Sequence, residues 1–164
     1  MNATEVSQIT QCLTFKLGDE SFAVDVAQVQ EVLDMLPITR VPKTPDFMRG
    51  VINVRGSVVP VVDMRLKFGM SQTEKTVDTC IIVMEVGTEN EKMVLGSMVD
   101  AVQEVVDLSA EQIEPPPRIG TQIDTEFIKG MGKKDDRFII ILNIDRVFSS
   151  EELSVVQEAG ERGE

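Results

Sequence analysis

Histidine is absent from this 164-residue chain, and so are tryptophan and tyrosine. Without histidine there is no phosphorelay histidine, no imidazole base for a serine or cysteine nucleophile, and none of the commonest zinc ligand. The two cysteines, Cys12 and Cys80, lie far apart and outside any C-x-x-C pattern. They are too few for a thiolate metal site, so no metal and no cofactor is expected. In a reducing compartment they read as free thiols buried in strands. No apolar run approaches the roughly 20 residues that a membrane helix needs. The opening MNATEVSQITQ lacks the basic start and apolar middle of an export signal, so the expected compartment is the cytoplasm, without membrane insertion. Basic residues are also scarce, 16 against 28 acidic, for a net charge of −12. That balance counts against nucleic acid, whose binding rests on a basic face, and against anionic membrane surfaces.

What is present is a chain of short, valine-rich runs. Leu13, Phe15 and Leu17 alternate with polar residues, Gly18 to Ser21 is turn chemistry, and Phe22 to Val26 returns, so 12–26 reads as a hairpin. One helical turn and a strand through Glu31 and Val32 follow, ended by Pro37. Residues 44–49 read as a short helical turn with a proline at its start. Val51–Asn53 and Val58–Val62 are strands around a bend at Val54-Arg55-Gly56-Ser57, and Pro60 points to an edge or a bulge. A helical turn over 64–68 and a polar link over 69–78 come next. Thr79–Val86 and Lys92–Asp100 form a second hairpin, and Arg137–Asn143 is the last long strand, entered from a bend at Asp135-Asp136. Ser149-Ser150-Glu151-Glu152 is a capping box, opening a helix over about 150–160.

The segment Val41–Gly69 has a second copy eighty residues on: Phe47/Phe127, Arg49/Lys129, Gly50/Gly130, Asp63/Asn143 and Phe68/Phe148. That spacing suits two copies of one small unit, and strands this short imply two small β-barrels. Six of the sixteen basic residues fall between Arg40 and Lys67, so a cationic hairpin stands out from an acidic body. Arg55 beside Gly56 is either an interaction hot spot on a rigid bend or a solvated turn residue. Glu31 is either a solvated strand residue or an ion-pair partner for Arg55, and Val29 is either core or surface. Gly50 serves a backbone need, a helix cap or a close chain approach. Leu36 and Ile38 flank Pro37 and either present a docking surface or fold back onto the core.

Catalytic patterns fare poorly. Asp63 and Asn143 occupy equivalent places, but a proton-sharing dyad needs two carboxylates, so a strand-end cap is the better reading. Glu85, Glu89 and Glu91 match no cation-loop spacing. Gly130-Met131-Gly132-Lys133-Lys134 lacks the full phosphate-loop pattern and leads towards a strand. An enzyme with a carboxylate site between the lobes and a small-ligand barrel are the rival readings.

Three stretches make the chain resemble the bacterial chemotaxis coupling-protein family, CheW. They are Phe15-Lys16-Leu17-Gly18 with Phe22 to Val26 and Val29 to Val32; Ile38 to Pro42 with Phe47 to Gly56 and Pro60 to Arg65; and Gly96, Val99-Asp100, Val102, Glu104-Val105 and Phe127 to Gly130. The resemblance implies a mainly β fold of two SH3-like five-stranded barrel subdomains sharing a core, with short helices and a C-terminal helix. The expected layout is one domain over 10–160 after a flexible 1–9, with subdomains at about 12–69 and 78–148 and the helix at about 150–160. It also implies a non-catalytic adaptor, recruited from the cytoplasm to membrane-associated receptor arrays. Its partners would be the regulatory domain of a CheA-type histidine kinase and the cytoplasmic tip of methyl-accepting chemotaxis receptors. Matching positions for receptor contact are Val29, Glu31, Gly50, Arg55, Val99 and Val102; for kinase contact they are Leu36 and Ile38. The hairpin loop Gly87–Lys92 departs from the family by its length and acidity.

Overall fold

The computed structural model describes residues 10–87, 92–115 and 125–162. Eleven strands are described: β1 (Thr10–Leu17), β2 (Glu20–Asp25), β3 (Val29–Asp34), β4 (Met48–Val54), β5 (Ser57–Asp63), β6 (Cys80–Gly87), β7 (Lys92–Val99), β8 (Ala101–Leu108), β9 (Ile113–Glu114), β10 (Ile128–Lys134) and β11 (Arg137–Leu142). Three α-helical segments join them: α1 (Met64–Lys67), α2 (Ile144–Val147) and α3 (Ser150–Arg162). The fold is mainly β, as expected.

The strands form two sheets, one ordered β8-β1-β2-β11-β10-β9 and one ordered β3-β6-β7-β5-β4. The eighty-residue repeat explains this order. β4, β5 and α1 superpose in number on β10, β11 and α2. Each sheet then takes three strands from one copy, with the short β9 added in the six-stranded sheet, and an entire hairpin from the other. β1–β2 joins β8, β10 and β11, while β6–β7 joins β3, β4 and β5. Each borrowed hairpin enters through a short parallel pairing, β2 with β11 and β7 with β5. The expected division into 12–69 and 78–148 therefore does not describe the lobes. The repeat units run in sequence, but each lobe is completed by the other unit's first hairpin. Local alternation fixes a hairpin and not which sheet receives it.

The packing follows from the alternation. One face of each sheet closes a small private core, Ile52, Val54, Val59, Val61, Ile81, Val83 and Met98 in one lobe and Cys12, Ala23, Val106, Leu108, Ile139 and Ile141 in the other. The opposite faces meet in a larger shared core that includes Phe15, Phe22, Val62, Met84, Leu95 and Leu142. Phe15, Phe22 and Phe68 stack through it, with centroids 5.9 and 5.8 Å apart, a preferred offset geometry. Cys12 and Cys80 are free and buried. Burial, with Asp25 nearby, pushes the Cys12 thiol up to about 11.

Two local expectations are corrected. Within residues 44–49, expected as a helical turn, a turn at 46–47 closed by Met48 N–H donating to the Pro45 carbonyl (3.0 Å) leads directly into β4. Pro60 lies in an interior strand opposite Val51. It is tolerated because β7 pairs with β5 only from Val61 to Asp63, so no partner there requires its missing N–H. The capping box at α3 is present: Glu152 N–H donates to Ser149 Oγ (3.1 Å) and Ser149 N–H to Glu152 Oε1 (2.8 Å). The Gly87–Lys92 loop falls largely outside the described residues.

Candidate protein-docking site

Arg55 and Gly56 form the β4–β5 turn with φ of 49° and 90°. Two successive left-handed residues give the tight hairpin bend that suits twisted strands. Asn53 Oδ1 accepts from Gly56 N–H at 2.8 Å and braces it. The guanidinium thus stands on a rigid base with 71% of the side chain exposed, and it grips Glu31 through both nitrogens, one bond being 3.1 Å. This hydrogen-bonded pairing lowers the Glu31 carboxyl pKa and raises that of Arg55. Of the two readings of Glu31, the ion pair is the observed one.

The pair also reports the shape of the sheet. β3 and β4 are its two outer strands, yet Glu31 on β3 bonds the turn that ends β4. A backbone bridge repeats the closure: Thr39 and Val51 exchange two N–H···O bonds of 2.9 Å. The sheet has curled until its edges touch. Gly50 sits at that seam with φ of 144°, and a Cβ there would lie 2.1 Å from the Thr39 carbonyl oxygen. Close chain approach, not a helix cap, is its backbone role.

Val29 and Val102 start the corresponding edge strands β3 and β8, opposite Met84 and Phe15, and both lie half-buried against the shared core. Val99 is different. It is wholly buried in the shared core and offers no surface, so among the residues matched for receptor contact it is structural. Gly50 is buried too, and acts through the seam.

Leu36 and Ile38 are partly buried against the private core of the first lobe and open on the other side. They line an open cleft of about 1290 Å³ with Met35, Met98 and the link over 71–76. Sequence reasoning treated that link as a spacer; the structure makes it a wall. Its anchor is Asp63, fully buried, whose carboxylate caps α1 by accepting from Arg65 N–H (3.0 Å) and accepts from Thr73 N–H (3.0 Å) and Thr73 Oγ1 (2.7 Å). Asn143, its counterpart, makes no such cap bond. Arg65 then reaches Asp100 (2.7 Å), which also accepts from Gly18 N–H (2.6 Å), stitching the cleft to the second sheet.

Lys67 also escaped the sequence reading. Its amine lies 5.3, 5.5 and 5.6 Å from the ring centroids of Phe47, Phe127 and Phe148, and bonds both oxygens of Glu152 at 3.0 and 2.8 Å. Phe47 and Phe127 are repeat equivalents, so the cage sits where the copies meet. Burial raises the Glu152 carboxyl pKa, but bonds from Lys67 and Ser149 outweigh it and leave it below the usual glutamate range.

Among the described residues no three metal-ligating side chains converge. Glu85 meets Lys92 at 3.7 Å in its hairpin, Glu89 and Glu91 fall outside the described residues, and Gly130–Lys134 is strand β10. No helix of the described residues is long and apolar enough to cross a membrane.

Two interlocked β lobes thus carry a clasped hairpin on one side and, on another, a cleft with apolar residues on one wall and polar ones on the other. Comparison with known proteins supplies the family. The model of the CheW-like domain matches residues 11–152, and the chain belongs to that family. It is 38% identical to a chemotaxis protein CheW of Klebsiella aerogenes over 144 residues, covering 88% of this chain and 84% of that one. It is 32% identical to the chemotaxis protein CheW of Thermotoga maritima, covering 88% and 90%. The crystal structure of the scaffolding protein TtCheW from Thermoanaerobacter tengcongensis matches with a TM-score of 0.76 at 38% identity, covering 87% of this chain and 90% of that one.

Proposed function

We propose that this chain is a non-catalytic adaptor that couples methyl-accepting chemotaxis receptors to a CheA-type histidine kinase in a membrane-associated array. The observation that carries the reading is the Arg55–Glu31 clasp. A cation 71% exposed on a braced bend, held in place by Glu31, is well placed to recognise carboxylates or carbonyls on a receptor tip. Val29 and Val102 supply apolar contact on the neighbouring edge strands, and Gly50 keeps the seam closed behind them. The kinase regulatory domain would take the other surface, the cleft edged by Leu36 and Ile38. Individual contacts need not be strong, because repeated linkage in an array multiplies them.

The test is pull-down on vesicles bearing a receptor signalling tip, with and without the kinase. Arg55→Glu is expected to lose receptor recruitment and keep kinase binding. Recruitment equal to that of the unaltered protein would remove Arg55 from the site.

A further inference from the structure

The two lobes are related by the repeat, but among the described residues a helix covers only one of them. α3 lies across the face of β4 and β5 that looks to the shared core, burying Val156 and Ala159 in that core, with Gly160 so close that a Cβ would stand 3.6 Å from Pro60. On that face Pro60 and Val51 are buried. The repeat equivalents of Pro60 and Val51 are Ile140 on β11 and Met131 on β10, paired with each other in the same way. A helix equivalent to α3 would follow α1, where the chain runs instead as the link over 70–79, without helix. Ile140 and Met131 are accordingly half-exposed.

Strand alternation extends this face beyond the edge of the shared core. Ile139 and Ile141 point into the private core, so Phe138 shares the opposite face with Ile140, which packs against the shared core. Phe138 is 52% exposed, a large apolar side chain left in solvent. Lys133 is exposed directly opposite it, and among the described residues no ion pair holds Lys133.

We propose that this β10–β11 face is a docking site for an amphipathic helix of another protein, seated as α3 is seated on β4–β5. The related face shows the occupant's chemistry: small and branched residues at helical spacing towards the sheet, and glutamates on the flank. Lys133 would meet such a glutamate as Lys67 meets Glu152. The chain's own α3 is held by that clamp and by its buried stripe, so a second copy's helix is not free to serve. The face is also distinct from the receptor surface proposed above, since Val102 lies on β8 and Met131 on β10, with three strands between them in the sheet order.

The probe is a helix-stapled peptide of this chain's own sequence from Ser149 to Arg162, titrated into the full-length, isotope-labelled protein. Amide shifts are expected at Met131, Lys133, Phe138 and Ile140. Phe138→Asp should weaken binding by about tenfold or more, as removal of a central aromatic anchor does. Lys133→Glu should weaken it too, and a peptide with lysines for its glutamates should favour that variant. Because both altered side chains are exposed, each variant should melt as the parent does; if Phe138→Asp does not, the Lys133→Glu charge reversal carries the test. Absence of binding, shifts confined to Val51 and Ile52, or equal binding of a scrambled peptide would overturn the proposal. Self-association abolished by Phe138→Asp would also overturn it, in favour of a second copy.

Discussion

Gly50→Ala is the substitution whose cost can be worked out most fully. The added Cβ would lie 2.1 Å from the Thr39 carbonyl oxygen, 2.8 Å from its carbon and 2.9 Å from Ile38 Cγ2. The first two are backbone atoms that cannot rotate away. Relief requires the 38–39 segment to part from β4, breaking the two 2.9 Å bonds between Thr39 and Val51. Each such bond is worth about 1 kcal/mol net, and an alanine at positive φ adds about 1–2 kcal/mol. The total is about 3–4 kcal/mol, which in a domain of this size lowers Tm by about 6–16 °C. Gly56→Ala supplies the control. Gly56 has φ of 90° but nothing within 4 Å of the new Cβ, so only the backbone cost applies and the loss should be about a third to a half as large. Ile38 borders the moved segment, so Gly50→Ala should also weaken kinase binding. Denaturant melts of both variants, read beside calorimetric titration with the kinase regulatory domain, make the check. A Gly50→Ala protein that melts no lower than Gly56→Ala would refute the claim that the seam is closed by chain approach.

Other expectations follow from the same contacts. Asp63→Ala leaves the donors of Thr73 and Arg65 unpaired in a buried site and should cost about 3–5 kcal/mol; Asp63→Asn should cost less, since Asn143 fills the equivalent place, and urea titration ranks the two. Because the Glu152 pKa is lowered in the folded protein, the stability it contributes is present above the unfolded glutamate value and is lost as pH falls through its lower folded value. Acid melts of Glu152→Gln should therefore show a flatter pH dependence below about pH 5 than the parent; identical slopes would separate Glu152 from the Lys67 clamp. Expressing 10–69 and 76–164 as separate fragments should give two chains that fold only when mixed, because each lobe needs the other unit's hairpin; circular dichroism of either fragment alone showing a cooperative melt would contradict the exchange.

Much of this was legible in the chain. Alternation in Leu13, Phe15 and Leu17, turn residues at Gly18-Asp19, and the capping box at Ser149 and Glu152 are local signals, and each sits where expected. The eighty-residue echo announced two equivalent units, and the charge contrast singled out Arg55 together with its partner Glu31. What escaped is non-local. Strand pairing across units leaves no mark in either unit, so the reciprocal exchange of hairpins was invisible. Val99 reads like any strand valine, and only the packing of two sheets places it wholly inside. Thr73 looks like a linker residue until Asp63 is seen buried beneath it. Lys67 could have been suspected, since it precedes Phe68 within the repeat, but a cage of three rings needs both copies in space.

Calorimetric titration of Arg55→Glu and Ile38→Asp, each against a receptor-tip fragment and against the kinase regulatory domain, decides whether the proposed receptor and kinase surfaces are separable. Arg55→Glu is expected to lose the receptor alone and Ile38→Asp the kinase alone, both with the fold intact. Loss of both partners by either folded variant, or of neither by both, would contradict that separation.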